Sequence, residues 1–279
     1  MKLGIDLGGT SIRVGLVDDR AVRVLHEAPT PADGSQDAVL DQMYALLERF
    51  PVEQATSIGA GVPSVVDVED GVVYDVQNIP SWTEVPLKGL LEERYGVPTH
   101  VQNDANCFAM AEYHYGAGQG ASPMVGLIVG TGFAGGIVVD GTLLSGRNCG
   151  AGEFGTAPYK DSIYEHYCAG QFFERQHDTT GAEAFERAEA GDEDALAMFE
   201  AFGTHLGRAV QSVLYAVDPA CIVLGGSVRH AYPFFEEAMW AELETFAFPR
   251  TLDTLEIHLS QLKHAGVLGA AALGIPAEG

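Results

Sequence analysis

Lysine is nearly missing from this chain: 279 residues contain only Lys2, Lys88, Lys160 and Lys263, and Lys and Arg together number 15 against 39 Asp and Glu, a net charge of −24. Binding to phosphate backbones and anionic lipid draws on clustered Lys and Arg, so neither nucleic acid nor a membrane surface is expected as a partner. The four cysteines, Cys107, Cys149, Cys168 and Cys221, are scattered, with no Cys-x-x-Cys pair. That argues against a zinc ribbon or dithiol redox site and reads as reduced, mostly buried thiols. Long apolar runs are lacking too. The longest, 125–139, is broken by Gly126, Gly130, Gly132 and Gly135 and falls short of the roughly 18 residues that a membrane helix needs. The chain enters a strand pattern at Leu3 without a basic n-region or cleavage site, so a cytoplasmic protein is expected. What is present, 47% hydrophobic and 19% charged residues, suits a folded core, and the length suits two domains of roughly 100 to 150 residues.

The pattern is that of an α/β protein. Strands are read at 3–7, 12–17 and 21–25, joined by Gly8-Gly9-Thr10 and Asp18-Asp19, as a three-stranded antiparallel meander. Val39, Leu40, Met43, Leu46, Leu47 and Phe50 then recur at helical spacing up to Pro51. Strands at 57–62 and 99–102 flank a helix over 87–95, and a helix over 106–115 leads to a glycine-rich turn at 116–123. Helices fill 180–217 and stop at Asp218-Pro219; strand 221–224 runs into Gly225-Gly226-Ser227, and an apolar helix at 268–273 closes the chain. An offset of 122 residues sets Gly8 against Gly130 and Asp18 against Asp140. Both halves then read as strand, Gly/Thr turn, strand and Asp turn, which favours an internal duplication.

Three glycine turns follow apolar strands: Asp6-Leu7-Gly8-Gly9-Thr10, Gly130-Thr131-Gly132 and Leu224-Gly225-Gly226. Glycines let backbone N–H groups approach an anion, the threonine hydroxyl adds a donor, and Asp6 at a strand end can hold a hydrated divalent cation. The first turn reads equally as a phosphate loop built from a hairpin or as an ordinary hairpin turn. It is not a Walker loop or dinucleotide fingerprint, because no Gly-Lys-Ser/Thr follows and no helix opens on the glycines. Asp104, in Asn103-Asp104-Ala105-Asn106, is either a helix N-cap or a carboxylate that accepts a proton from a substrate hydroxyl. Phosphoryl transfer to an alcohol needs such an acceptor, Mg²⁺ and donors on the transferred group.

These residues occur within a longer series of motifs: 4–10, Gly61-Val-Pro63, Asn78-Ile-Pro-Ser-Trp82, 103–106, 130–132, Gly150-Ala-Gly-Glu-Phe-Gly155, Asp218-Pro219 with Val223-Leu-Gly-Gly226, and Gly266-Val-Leu-Gly-Ala-Ala271. In that order they resemble the ROK family of sugar kinases, within the actin-like and hexokinase-like ATPases, over essentially the whole chain. The resemblance implies a two-domain actin-like ATPase fold, ribonuclease H-like, with duplicated βββαβα units and an interdomain cleft; the domains are expected at 1–103 plus 265–279 and at 104–264. It implies ATP and Mg²⁺ as cofactors, with Asp6 positioning the metal through water. Gly8, Gly9, Thr10, Gly130, Thr131 and Gly132 are implied to hold phosphates, and Gly225 and Gly226 to pack near adenosine. Asn103, Asp104, Glu153 and Glu165 are implied to grip a hexose, with Asp104 as the general base and Asn78 and Trp82 at its border. A homodimer is also implied. Carboxylates and amides suit a polyol, since each bonds adjacent hydroxyls.

The expected reaction is phosphorylation of a hexose, glucose by default, at its 6-hydroxyl. Alternatives are a kinase for fructose, N-acetylglucosamine, N-acetylmannosamine or a β-glucoside, and a non-catalytic sugar sensor. Family repressors carry a winged helix-turn-helix before the first phosphate strand, whereas this chain begins on that strand, so DNA binding is not expected. Two positions depart from the family. Many members follow the Glu153 segment with a histidine and a Cys-rich zinc loop; here Thr156 stands at the histidine position and no such loop follows, so no zinc is expected and His166 with Cys168 reads as a packed pair. Ser11 replaces a common Lys or Asn, and Arg13 is expected to face solvent. Trp82 reads as a packing anchor and Glu112 as part of a solvated helix face. The acid excess resembles proteins of salt-adapted organisms. Activity is therefore expected to rise with KCl as the screening length falls from about 10 Å at 0.1 M to about 3 Å at 1 M; a profile that only declines would remove that expectation.

Overall fold

A computed structural model describes residues 1–18 and 20–275. Asp19 of the expected turn and the last four residues of the expected 265–279 segment lie outside the described residues. In chain order the elements are β1 (Lys2–Leu7), β2 (Ser11–Asp18), β3 (Ala21–Pro29), α1 (Gln36–Leu47), β4 (Ser57–Val62), β5 (Val65–Asp67), β6 (Val72–Tyr74), β7 (Glu84–Val85), α2 (Leu87–Tyr95), β8 (Thr99–Asn103) and α3 (Asp104–Tyr115). They continue as β9 (Met124–Val129), β10 (Phe133–Val139), β11 (Thr142–Leu143), β12 (Pro158–Tyr159), β13 (Ser162–Ile163), α4 (Glu165–Cys168), α5 (Gln171–His177), α6 (Gly181–Glu189) and α7 (Glu193–Val217). The chain ends with β14 (Cys221–Gly225), α8 (Tyr232–Leu243), α9 (Pro249–Leu252), β15 (Glu256–Leu259) and α10 (Ala265–Ala272). Two units form: residues 1–120, 136–151 and 261–279, and residues 121–135 with 152–260, the chain passing between them within β10.

In the first unit the sheet order is β3-β2-β1-β4-β8. The β1–β2 hairpin pairs Asp6 with Arg13 and Leu7 with Ile12 around the glycine turn. β1, β4 and β8 run parallel, with Asp6 opposite Gly61 and Gly61 opposite Gln102. Leu3, Ile5, Leu7, Ile58, Ala60 and Val62 are almost fully buried, as expected for strands covered on both faces. Ser35 caps α1, its Oγ accepting from the Ala38 N–H at 3.2 Å, and the apolar stripe Val39, Leu40, Met43, Leu46 and Leu47 faces the core. Trp82 is fully buried, the packing anchor its position suggested.

The closing helix α10 carries almost no polar atoms, and its residues from Val267 to Ala272 are buried. It lies directly on the sheet backbone: a Cβ on Gly59 would stand 1.7 Å from the Ala270 carbonyl oxygen, and one on Gly4 would stand 2.0 Å from that of Val267. Helix α3 differs from expectation on one residue. Glu112 is not on a solvated face but fully buried, and its Oε2 accepts the Ala117 N–H at 3.0 Å. Residues Ala105 to Glu112 are all buried, so no polar stripe marks a solvent side and periodicity alone misleads there.

The second unit builds on parallel strands β9, β14 and β15, with Cys221 opposite Met124 and Glu256. Helix α7 starts at the cap Asp192, which accepts from the Ala195 N–H, and ends at Asp218 in the left-handed region, φ 49°, just before Pro219. Phe199, Phe202 and Phe235 form its buried aromatic core. The sheet order β11-β10-β9-β14-β15 matches β3-β2-β1-β4-β8 place for place, so the duplication read from the 122-residue offset is present in the topology. Among the described residues no helix is long and apolar enough to cross a membrane.

Gly59→Ala should cost about 3 kcal/mol, because the added methyl meets helix backbone that cannot rotate away. The check is the midpoint of thermal or urea unfolding; a variant as stable as the wild type would contradict this packing.

Candidate active site

The candidate side chains of the first unit collect at the carboxyl ends of its parallel strands, where open α/β sheets bind ligands. Two strand spacings, roughly 10 Å, separate Asp6 on β1 from its register mate Gln102 on β8. Asp6 keeps 23% of its side chain exposed, and Arg13 Nη1 lies 3.6 Å from its Oδ2. Burial raises the Asp6 pKa, and Arg13 partly offsets that rise. Arg13 therefore does not simply face solvent: it bridges Asp6 and Glu27, the latter at 3.0 Å. The cause is the antiparallel register, which puts the side chains of paired residues 6 and 13 on one face. The first turn of α10 abuts the same carboxylate, since a Cβ on Gly266 would lie 2.7 Å from Asp6 Cγ.

The first glycine turn is tied back by the Gly8 N–H to the Ser11 carbonyl at 2.9 Å and by Thr30 Oγ1 to the Gly8 carbonyl at 2.6 Å. Asn78 lies against it, its Cβ 2.7 Å from where a Gly9 side chain would begin. At the β8–α3 junction Asn103, not Asp104, is the N-cap: its Oδ1 accepts the Ala105 and Asn106 N–H groups at 2.9 and 3.4 Å. Asn103 Nδ2 also donates to the Ser64 carbonyl at 3.3 Å. Asp104 is thereby the first residue of α3, half-buried, with its Oδ1 on the Ala105 N–H at 2.8 Å. A carboxylate there is favoured by the helix dipole.

In the second unit Glu165 rests on the other glycine turn. Its Oε2 accepts the Phe133 N–H at 3.0 Å and lies 2.8 Å from where a Gly132 Cβ would be, while its Oε1 accepts from Gln171 Nε2 at 3.1 Å. The Gly130 carbonyl accepts the Gly170 N–H at 2.7 Å. Glu153 precedes a single helical turn over Phe154–Thr156. Burial pushes its carboxyl above the usual range, and the charge of Glu165 adds to the rise. Thr156 is exposed and turned back, its hydroxyl donating to the Glu153 carbonyl at 2.9 Å.

Aromatic side chains occupy the segment after Thr156. Tyr159 stacks on Tyr164 at 4.3 Å, Tyr167 packs edge-on to Tyr159 and His205, and Tyr159 Oη lies 3.0 Å from His205 Nδ1. Burial lowers the His205 pKa to about 4, so the ring is neutral near pH 7. His166 pairs with Ser162 at 2.5 Å and Cys168 is buried. Among the described residues no three His, Cys, Asp or Glu side chains are grouped to hold a metal ion.

Gly225 ends β14 opposite Ile128 of β9. Gly226 has φ 82°, and a Cβ there would strike the Val129 carbonyl at 2.1 Å, so only glycine fits. The next residue, Ser227, lines a cavity of about 430 Å³ together with Gly130, Thr131, Phe173, Phe185, Phe199 and Phe202. Sequence reading missed these aromatics as a lining, because Phe199 and Phe202 fit the apolar stripe of α7 equally well. The Phe172-Phe173 pair just beyond Gly170 was the available signal.

The raised Glu153 pKa carries a sign. A folded state that holds this proton more tightly than the unfolded chain loses stability as pH climbs from about 4.5 through the raised value. Glu153→Gln removes the ionisation, so its thermal midpoint relative to wild type should be more favourable at about pH 7.5 than at about pH 4; a difference independent of pH would contradict the shift.

A family model described as "ROK family" matches residues 2–276. The chain is 29% identical to a glucokinase of Thermotoga maritima, over 97% of this chain and 96% of that one. It is 32% identical to an N-acetyl-D-glucosamine kinase of Vibrio vulnificus, over 85% and 87%. Its structure superposes on a ROK family glucokinase from Streptomyces griseus in complex with glucose and AMPPNP, at TM-score 0.80 and 26% identity, covering 98% of both chains. With the duplicated topology and the glycine turns in register, this match over nearly the full length shows that the chain belongs to the ROK family.

Proposed function

We propose that the protein is an ATP- and Mg²⁺-dependent sugar kinase that phosphorylates the 6-hydroxyl of a hexose. The reading is carried by Asp104, which heads α3 beside its own cap Asn103 at the carboxyl end of β8, in a chain whose relatives include sugar kinases. Asp104 accepts the hydroxyl proton as the sugar oxygen attacks the γ-phosphorus. The O6–P bond forms, the bond from phosphorus to the β,γ-bridging oxygen breaks, and ADP leaves. Asn103, Glu153 and Glu165 are the side chains that orient sugar hydroxyls in this reading, with Asn78 bordering them.

The two glycine turns, 8–10 and 130–132, offer backbone and threonine donors to the phosphates. Gly225 and Gly226 directly precede Ser227, which lines the aromatic cavity, whose flat rings and volume suit a nucleobase. Asp6 is a single, partly exposed carboxylate, which fits a cation that keeps most of its water. Mg²⁺ bound with the nucleotide would neutralise charge that builds on the phosphates.

Glucose and N-acetylglucosamine are the leading acceptors, because relatives at 29% and 32% identity carry those two names. Coupled ADP release with Mg-ATP against glucose, N-acetylglucosamine, N-acetylmannosamine, fructose, mannose and cellobiose separates them. Asp104→Ala should lower kcat by about 10²- to 10⁴-fold while sugar binding stays measurable by calorimetry. Near-wild-type turnover in that variant would sink the assignment, and silence of the wild type on every sugar would favour a sensor.

A further inference from the structure

Gln102 is 2% exposed, and every polar atom of its side chain is engaged. Its Oε1 accepts from the Asn103 N–H at 2.9 Å, Asn106 Nδ2 at 3.1 Å and Cys149 Sγ at 2.8 Å, while its Nε2 donates to Ser145 Oγ at 2.8 Å. The first two partners lie on either side of Asp104 in the chain. Between them they clamp the β8–α3 junction: one bond holds the backbone of the cap Asn103, the other holds the side chain of a residue in the first turn of α3. The third and fourth partners belong to the segment between β11 and Ala151. Cys149 there has φ 57°, a conformation costly for a non-glycine residue, and its thiol is anchored on the Gln102 oxygen. Asn106 Nδ2 also lies 3.7 Å from Cys149 Sγ, which closes a small ring of contacts.

We infer that Gln102 is a positioning residue for Asp104, its amide splinting the strand-to-helix junction that aims the carboxylate and locking that junction to the Ser145–Cys149 segment. The inference rests on the kinase reading above. Its physical basis is the steep dependence of proton transfer on geometry: displacing a reacting group by about 1 Å can cost about 100-fold in rate. A buried amide with all its bonds made fixes that geometry, whereas an apolar residue of similar size leaves the Asn103 N–H and the Asn106 amide to seek new partners. A role in stability alone would weaken everything together; a role in aiming Asp104 touches the chemical step.

The experiment compares wild type, Gln102→Met, Gln102→Glu, Ser145→Ala and Asp104→Ala for kcat, for KM of sugar and of Mg-ATP, and for thermal midpoint. Gln102→Met should lower kcat about 10- to 100-fold with KM for Mg-ATP unchanged. Gln102→Glu keeps the accepting oxygen, and the Ser145 hydroxyl can turn to donate, so its kcat should return to within about threefold of wild type. Ser145→Ala removes a single bond and decides the matter if Gln102→Met does not fold: kcat should fall severalfold at an unchanged midpoint. The inference is overturned if Gln102→Met keeps wild-type kcat, or loses kcat and Mg-ATP affinity in parallel with its midpoint. It is likewise overturned if the Glu variant is as defective as the Met variant, or if, with Gln102→Met unfolded, Ser145→Ala leaves kcat untouched. Failure of the kinase reading looks different: a wild type silent on every sugar, or an active Asp104→Ala, removes that reading and this inference with it.

Discussion

Helix α10 reaches the first unit's sheet only because Gly4 and Gly59 have no side chains, so that helix backbone meets strand backbone directly. Much of the candidate site follows from that approach. The helix seals one face of β1 and β4 with apolar residues, so Ile5 and Ala60 are buried right up to the strand ends where Asp6 and Gly61 lie. Its first turn comes against Asp6, fixing the carboxylate from one side while Arg13 holds it from the other. The same helix packs against α3, the element that carries Asp104. A methyl group at either glycine therefore acts on more than local packing: it lifts the element that both carboxylates of this unit depend on.

Half-buried acids are a recurring cost in a chain already at −24. Asp6 and Glu153 are both driven towards protonation by burial, but the charges beside them differ in sign. Arg13 answers Asp6 with a positive charge across the hairpin. Glu153 has the like charge of Glu165 nearby instead, and Glu165 in turn is satisfied by the Phe133 N–H and the Gln171 amide. Acids kept at such a cost in places where solvent would stabilise them better are candidates for work on a ligand, Asp6 on the proposed cation and Glu153 on the proposed sugar.

Local chemistry was legible in the sequence wherever one segment decided the outcome. The glycine turns, α1 with its Ser35 cap, the stop at Asp218-Pro219 and the apolar helix α10 all follow from spacing and caps. What failed depended on partners distant in sequence. Glu112 is buried because α3 is covered all round, which no helical wheel of that segment reveals. Arg13 turned to Asp6 because of strand register, a pairwise property. At Asn103-Asp104 both residues can cap a helix, and one position's difference in where α3 begins decides which of them caps and which stands in the first turn. Gln102 read as the end of a strand; its four bonds come from two stretches of chain, 103–106 and 145–149.

The duplication sharpens the comparison between the two glycine turns. Each follows a first strand in a sheet of identical order, and each lies against a polar side chain at a spot a Cβ would crowd: Asn78 at Gly9 and Glu165 at Gly132. The backbone plan is shared while the partner differs in charge. In the first copy the partner is a neutral amide, and the charge of nearby Asp6 is partly offset by Arg13; in the second an acid is bound by the turn's own neighbour, the Phe133 N–H. β11 is cut to two residues where β3 has nine, and the chain beyond it carries instead the Ser145–Cys149 segment, the Glu153 turn and the tyrosine cluster around His205. Divergence of the two halves is thus concentrated after the third strand, and it is there that the second copy acquires its polar and aromatic side chains while the glycine turns keep their register.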